Sequence, residues 1–405
     1  MVIDSYALRE NNTNHRFTMP LHDTIADTCF TVKELQEKLQ SNLNTDAHFK
    51  SWTVKPIGDG QGFMAKVLRV AIEWSKEAGD LPKSVVVKIP NVGNAGKAWE
   101  DAGIDSATAA DTNTKVVTQM HDNECRAYNW LSTKESSVPH PRLYYCNGDF
   151  SNPKNPPVII MEDLTQYQLV SLFTGFNRAQ LFAITDAIAT IHMRSILEPD
   201  DKWMFELGTQ DPDMETNFVN MINAMGGMLK QIRPDLFSAN VDKILGNFNF
   251  SAFHEQVISK KIFPVLAHGD LWSTNLLWDG DKLMSIIDWQ LARPSSVTED
   301  LLRVLVTCVP VDVRRAMTSE LLAHYYAKLT ELLAVEQRQV PFSFADVERS
   351  YRETLPGTAA QTIFAAGMWI NSPVVDGPDK PQRVEEVLQR TKAILDDAAV
   401  ALEEQ

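Results

Sequence analysis

No two of the four cysteines, at positions 29, 125, 146 and 308, stand close enough to form a Cys-x-x-Cys pair. A zinc site or dithiol redox motif of that spacing is therefore excluded. Free buried thiols suit a reducing compartment, so the expected location is cytoplasmic. Basic blocks are also missing. With 53 acidic against 38 basic residues and a formal net charge of −15, no nucleic-acid binding is expected. The N-terminus Met1-Val-Ile-Asp-Ser5 has an early acid and no long apolar run, so it does not read as a signal peptide. Near the C-terminus the longest uncharged stretch, Thr358 to Val375, is interrupted by Gln361, Asn371 and Pro373. It reads as a buried helix and loop, and no membrane span is expected. No solenoid repeat or low-complexity tract is found.

What remains is a chain of 405 residues, 44% hydrophobic and 22% charged, long enough for two domains or two large lobes. Residues 1–30 are polar and weakly patterned, and are expected to be irregular. Thr31-Val-Lys-Glu34 matches a capping box, and Leu35, Leu39 and Leu43 follow at helical spacing. From Ser51 the pattern turns to strands: Trp52–Ile57, Ala65–Trp74, Ser84–Ile89, Pro139–Tyr145 and Pro157–Met161. Gly58, Gly60 and Gly62 sit between the first two, where a glycine turn lets backbone N–H groups approach phosphate oxygens. Segment 91–120 reads as a long loop or a marginal helix, and His121–Leu131 as a helix with Glu124, Tyr128 and Leu131 near one face. A lysine inside the β-branched run, Lys88, needs a partner, and Glu124 is the candidate. Beyond Leu164 the chain reads as mainly helical. Helices are expected after Asn177, from Thr298, and over Val311–Val335, Phe344–Leu355 and Arg383–Leu402. His192 is expected to be a packed core residue.

The most informative stretch is His268-Gly-Asp-Leu-Trp-Ser-Thr-Asn275, followed after a Trp278-Asp-Gly280-Asp281 turn by Ile286-Ile-Asp288-Trp-Gln290. Apolar runs, Phe263–Ala267 and Leu283–Ile287, lead into both segments and read as short buried strands with polar groups at their ends. Phosphoryl transfer from ATP needs a carboxylate to accept the hydroxyl proton, and an amide oxygen and a second carboxylate to hold Mg²⁺. Asp270, Asn275 and Asp288 are those residue types. Each tripeptide alone is an ordinary turn or cap; it is the joint pattern that points to phosphotransferase chemistry.

With these residues in place, the chain resembles the choline-kinase-like and ecdysteroid-kinase-like group of the aminoglycoside phosphotransferase superfamily, from about Ser51 to the C-terminus. The resemblance implies an α+β, two-lobed, protein-kinase-like fold: a small antiparallel sheet lobe over a larger helical lobe, with ATP in the cleft. It implies an N-terminal extension over 1–50, a sheet lobe over 51–161 and a helical lobe over 162–405. It also implies Asp270 as catalytic base and Asn275 and Asp288 on Mg²⁺. Lys88 and Glu124 would sit at the phosphates, with Asp300 bracing the loop from below. The backbone around Glu162 and Leu164 would meet adenine as the hinge.

Two departures stand out. The glycine loop, Gly-x-Gly-x-Gly, is one residue tighter than the protein-kinase form, and Gln290 stands where some choline kinases carry an acid. Only eleven residues separate Asp288 from Asp300, and no Ala-Pro-Glu motif follows. That is too little chain for a peptide-docking activation segment. The expected acceptor is therefore a small-molecule hydroxyl, on a lipophilic alcohol, steroid or glycoside. The rival readings are a choline- or ethanolamine-type kinase, an inactive ATP-binding regulator and a protein kinase. Trp272 faces either the substrate mouth or the underside of the catalytic loop.

Overall fold

The computed structural model describes residues 24–25, 28–57, 64–76, 79–91, 106–133, 138–208, 212–247 and 249–404. Strands β1 (Phe49–Pro56), β2 (Ala65–Trp74), β3 (Ser84–Pro90), β4 (Leu143–Asn147) and β5 (Val158–Glu162) form a sheet in the order β1-β2-β3-β5-β4. Every neighbouring pair is antiparallel. The two faces of β3 divide cleanly, because successive side chains point to opposite sides. Val85 and Val87 pack with Leu68, Val70 and Ile72 on the outer face. Val86 joins the core beneath, where Ile159 and Met161 also lie.

Helix Val32–Leu43 covers the outer face. Thr31 and Glu34 cap it reciprocally, and Leu35 and Leu39 are fully buried against the sheet. The helix therefore shares one core with the strands that follow it. Across the other face runs helix Ser106–Ser132. It begins well before His121, so much of the segment read as loop or marginal helix continues the Glu124 helix.

The rest of the chain is mainly helical. Helix Arg178–Leu197, capped by Asn177, packs beside Val311–Val335. His192 is buried there, with Nδ1 2.7 Å from the Tyr325 hydroxyl, and burial pulls its pKa down to about 3. Helices Pro212–Ile232 and Phe250–Ile258 were not anticipated. Neither was the continuity of Phe344–Trp369, which carries Pro356 in its interior and does not stop at Leu355. Proline removes one backbone donor and crowds the preceding turn. Here the flanking residues Leu355, Gly357, Thr358 and Ala359 are all buried, and packing holds the helix through the defect. The last helix is Lys380–Glu403. Antiparallel sheet lobe and helical lobe are thus the α+β arrangement the sequence led us to expect.

Three short ladders place the polar segments between the lobes. β6 (Gln168–Leu169) pairs with β8 (Leu276–Asp279), which pairs with β9 (Lys282–Ile286) across a turn with Gly280 at φ +59°. β7 (Val265–Ala267) pairs with β10 (Arg293–Ser295). The strands before the two motifs are thus shorter than, or shifted from, the apolar runs that announced them. Of the four cysteines, Cys125 and Cys308 are buried, Cys146 is half-buried and Cys29 is exposed; all are free thiols, so burial holds for only part of the set. No helix among the described residues is long and apolar enough to cross a membrane.

Candidate active site

Asn275 and Asp288 lie on either side of the β8–β9 hairpin, which folds them back toward each other. The Ile287 N–H donates to the Asn275 carbonyl at 3.0 Å. The Ile287 carbonyl accepts from His268 Nε2 at 3.0 Å, and His268 Nδ1 accepts the Asp270 N–H at 3.2 Å. These two bonds fix the proton of the buried imidazole on Nε2. One fully buried histidine thereby ties the first segment to the second.

Gly269 is required by its surroundings. Its φ is +82°, and a Cβ there would collide with the Leu291 carbonyl and the Arg293 side chain. Asp300 lies beneath, buried at the start of helix Glu299–Cys308. Its carboxylate accepts the His268 N–H at 2.7 Å and the Gly269 N–H at 2.9 Å. Burial pushes the Asp300 carboxyl above its ordinary pKa, against those two bonds. The Asn275 side-chain N–H donates to the Asp270 carbonyl at 2.9 Å, which leaves the amide oxygen as an acceptor.

Lys88 sits on the cleft side of β3, 8% exposed, and Glu124 is 1% exposed. The ammonium lies 2.6 Å from Glu124 Oε2 and 2.5 Å from Asp288 Oδ1. Two carboxylates thus share one cation in a nearly dry site. Burial alone would favour the neutral amine, but Asp288 and Glu124 override it and hold the Lys88 pKa above its ordinary value. Burial, helped by Asp288 and opposed by Lys88, pushes Glu124 up to about 7. Oε1 of Glu124 has no hydrogen-bond partner among the described residues.

Asp288 adopts the left-handed conformation, φ 67° and ψ 59°, which non-glycine residues rarely occupy. Such backbones persist only where the surroundings hold them. The Asp288 N–H donates to the Tyr128 hydroxyl at 3.3 Å. Tyr128 lies one turn beyond Glu124, so a single helix face serves both the lysine and the backbone of Asp288.

The sequence reading missed Arg303. Its Nη2 and Nε lie 2.9 Å and 3.3 Å from Asp270 Oδ1. The guanidinium stands 5.7 Å from the centre of the Trp369 ring, and Trp369 stacks on Trp272 with centroids 5.0 Å apart and planes at 21°. Trp272 is therefore half-buried against another tryptophan, beside the loop it comes from.

Lys88, Glu124, Glu162, Leu164, Asp270, Asn275 and Asp288 all line one cavity of about 1210 Å³. At the hinge, the Glu162 N–H already donates to the Arg142 carbonyl at 2.9 Å and the Leu164 carbonyl accepts from Tyr167 at 3.0 Å. The same cavity has a largely apolar wall of Phe218, Phe250, Phe253, Phe364, Met368 and Trp369, with Glu215, His254 and Gln361 among its polar lining. Gly58, Gly60 and Gly62 lie outside the described residues. Among those described, no three His, Cys, Asp or Glu side chains converge for a metal ion. The oxygens of Asn275 and Asp288 fit a hard cation that takes its remaining ligands from phosphate and water.

An uncharacterized kinase-like protein of Caenorhabditis elegans, D1044.1, is 23% identical over 381 residues, covering 90% of this chain and 98% of that protein. The uncharacterized oxidoreductase dhs-27 of the same organism is 23% identical over 355 residues, 84% of this chain but 42% of that longer protein. Among solved structures, a choline kinase from Cryptosporidium parvum aligns over 87% of this chain and 92% of its own, with 14% identity and a TM-score of 0.49. A family model described as "Uncharacterized oxidoreductase dhs-27" matches residues 20–405, and the chain belongs to that family, DUF1679.

Proposed function

We propose that this protein transfers the γ-phosphoryl group of ATP to a hydroxyl of a small molecule. One observation carries the reading: the Lys88–Glu124–Asp288 cluster and the Asp270 carboxylate line a single cavity that also has a largely apolar wall. The kinase-like relative supports it. The oxidoreductase name is that of a longer protein, of which this chain matches less than half, and of the family model named after it.

In this reading adenine meets the backbone of the connector around Glu162 and Leu164. Lys88, held by Glu124, takes the α- and β-phosphates. Asn275 and Asp288 hold Mg²⁺, which when bound offsets the charge of the triphosphate. Asp270 accepts the hydroxyl proton as the acceptor oxygen bonds to the γ-phosphorus, the bond to the ADP oxygen breaks, and ADP keeps the electron pair. Because phosphoryl transfer is largely dissociative, placing the acceptor matters more than a strong base.

The acceptor is a lipophilic alcohol, steroid or glycoside. Phenylalanines, Met368 and Trp369 wall the chamber, and such walls suit an apolar body with a few polar groups. A choline- or ethanolamine-type kinase is the second reading, because the same aromatic rings can face a quaternary ammonium. Two of the rival readings meet physical objections. An inactive regulator has no physical need for Lys88, Glu124, Asp270, Asn275 and Asp288 together. A protein substrate lacks an activation segment to dock on. The test is Mg-ATP turnover against a metabolite extract, with mass spectrometry for products heavier by one phosphate. Labelling of protein serine or threonine without a small-molecule product would overturn the reading.

A further inference from the structure

One helix holds the catalytic loop at three points. From Glu299–Cys308, Asp300 accepts the N–H groups of His268 and Gly269, Arg303 binds the Asp270 carboxylate, and Cys308 Sγ accepts the Ser273 N–H at 3.2 Å. Asp300 and Arg303 are three residues apart, so they project from one face. Nearly the whole helix is buried, which makes it a fixed base rather than a moving one. Both Arg303 donors converge on Oδ1 of Asp270. Among the described residues no donor is seen on Oδ2, and the side chain keeps 22% of its surface exposed toward the cavity. The guanidinium is held in turn by the face of Trp369, which stacks on Trp272 of the same loop. Loop, guanidinium and two indoles form a closed circuit around the carboxylate.

We infer that Arg303 is the positioning residue of the transfer step: it clamps Oδ1 of Asp270 so that Oδ2 alone faces the acceptor hydroxyl. This rests on the phosphotransferase reading. A carboxylate with both oxygens free rotates about its Cβ–Cγ bond and presents either one; clamping one oxygen removes that freedom before the acceptor arrives. Arginine brings Nε and Nη2 to that one oxygen from a rigid planar frame, which the single ammonium of lysine reproduces only in part.

The test measures ADP formation from Mg-ATP in the presence of a metabolite extract, for the parent, Arg303→Gln, Arg303→Lys and Arg303→Ala. Arg303→Gln and Arg303→Ala are expected to lose roughly 10- to 100-fold in turnover at saturating ATP, with the KM for ATP unchanged. Arg303→Lys is expected to fall between them and the parent. Added guanidinium ion restores part of the turnover of Arg303→Ala and none of that of Asp270→Asn. The unchanged KM and the rescue separate positioning from misfolding. Normal turnover in Arg303→Gln overturns the inference, as does joint collapse of turnover and ATP binding without rescue. If the parent forms no ADP with any extract, the phosphotransferase reading fails, and the role of Arg303 fails with it.

Discussion

At the end of the cavity proposed for the nucleotide, three charged side chains meet within ion-pair distance, from strand β3, helix Ser106–Ser132 and the turn after β9. At the acceptor end the walls are apolar rings from three separate helices. Phe218 packs edge-on against Phe364 and Phe250, with centroids 5.3 Å and 5.8 Å away. The first end depends on charge, direction and a strained backbone; the second depends on volume. Chemistry at the first should therefore fail steeply on a single change, and recognition at the second should soften gradually.

The steepest loss should come from the base. Asp270→Asn is expected to lower kcat by roughly 10²–10⁴ while Mg-ATP affinity stays the same, because the proton acceptor acts in the transition state. Turnover near that of the parent would remove Asp270 from the chemistry. At Asp288, alanine should abolish Mg-dependent nucleotide binding by calorimetry and leave the Lys88–Glu124 pair in place. If Mg-ATP binds as it does to the parent, Asp288 is a structural turn residue and the contrast between the two ends loses its metal. The acceptor end should respond more gently. Phe364→Ala should raise the acceptor KM by about tenfold, with the ATP KM unmoved. An equal effect on both would mean that the ends are not separate.

Legibility in the sequence follows the same contrast. Lys88, Asp270 and Asp288 were readable because a polar residue ending an apolar run, or sitting inside one, is costly without a role; Glu124 was readable as the partner that lysine needs, and Asn275 from the joint pattern with the two aspartates. Asp300 was expected under the loop only from family likeness, and the structure shows the two N–H groups it receives. Arg303 went unread because its partner lies 33 residues earlier in the chain. The available signal was its three-residue spacing from Asp300 on a helix already expected. The phenylalanine walls of the chamber were not readable. Phe218 and Phe250 lie on helices the sequence did not announce, and Phe364 lies in the stretch read as a buried helix and loop, whose continuity with Phe344–Leu355 was not expected. The early start of the Glu124 helix was hidden by a Gly-, Ala-, Asp- and Thr-rich segment of weak helix propensity.

A smaller expected effect concerns acid stability. Burial lowers His121 to about 4 and His192 to about 3, so both are neutral when folded, whereas unfolded histidines gain protons near 6.5. The unfolded chain therefore binds more protons between pH 6.5 and 4, and stability falls as pH drops through that window. Each histidine should cost on the order of 3 kcal/mol by pH 4. Denaturant midpoints measured from pH 7 to pH 4 should show the decline, and His192→Phe should flatten it. A flat profile in the parent would mean that these rings are not held neutral.

The central claim is that the two ends work on two substrates, ATP and a small-molecule alcohol. Phosphorus NMR of Mg-ATP incubated with metabolite extract tests it most directly, with the parent and Asp270→Asn side by side. The account predicts a new phosphomonoester resonance, growing in step with ADP, for the parent alone. Inorganic phosphate as the sole product, or the same phosphomonoester from Asp270→Asn, would contradict it.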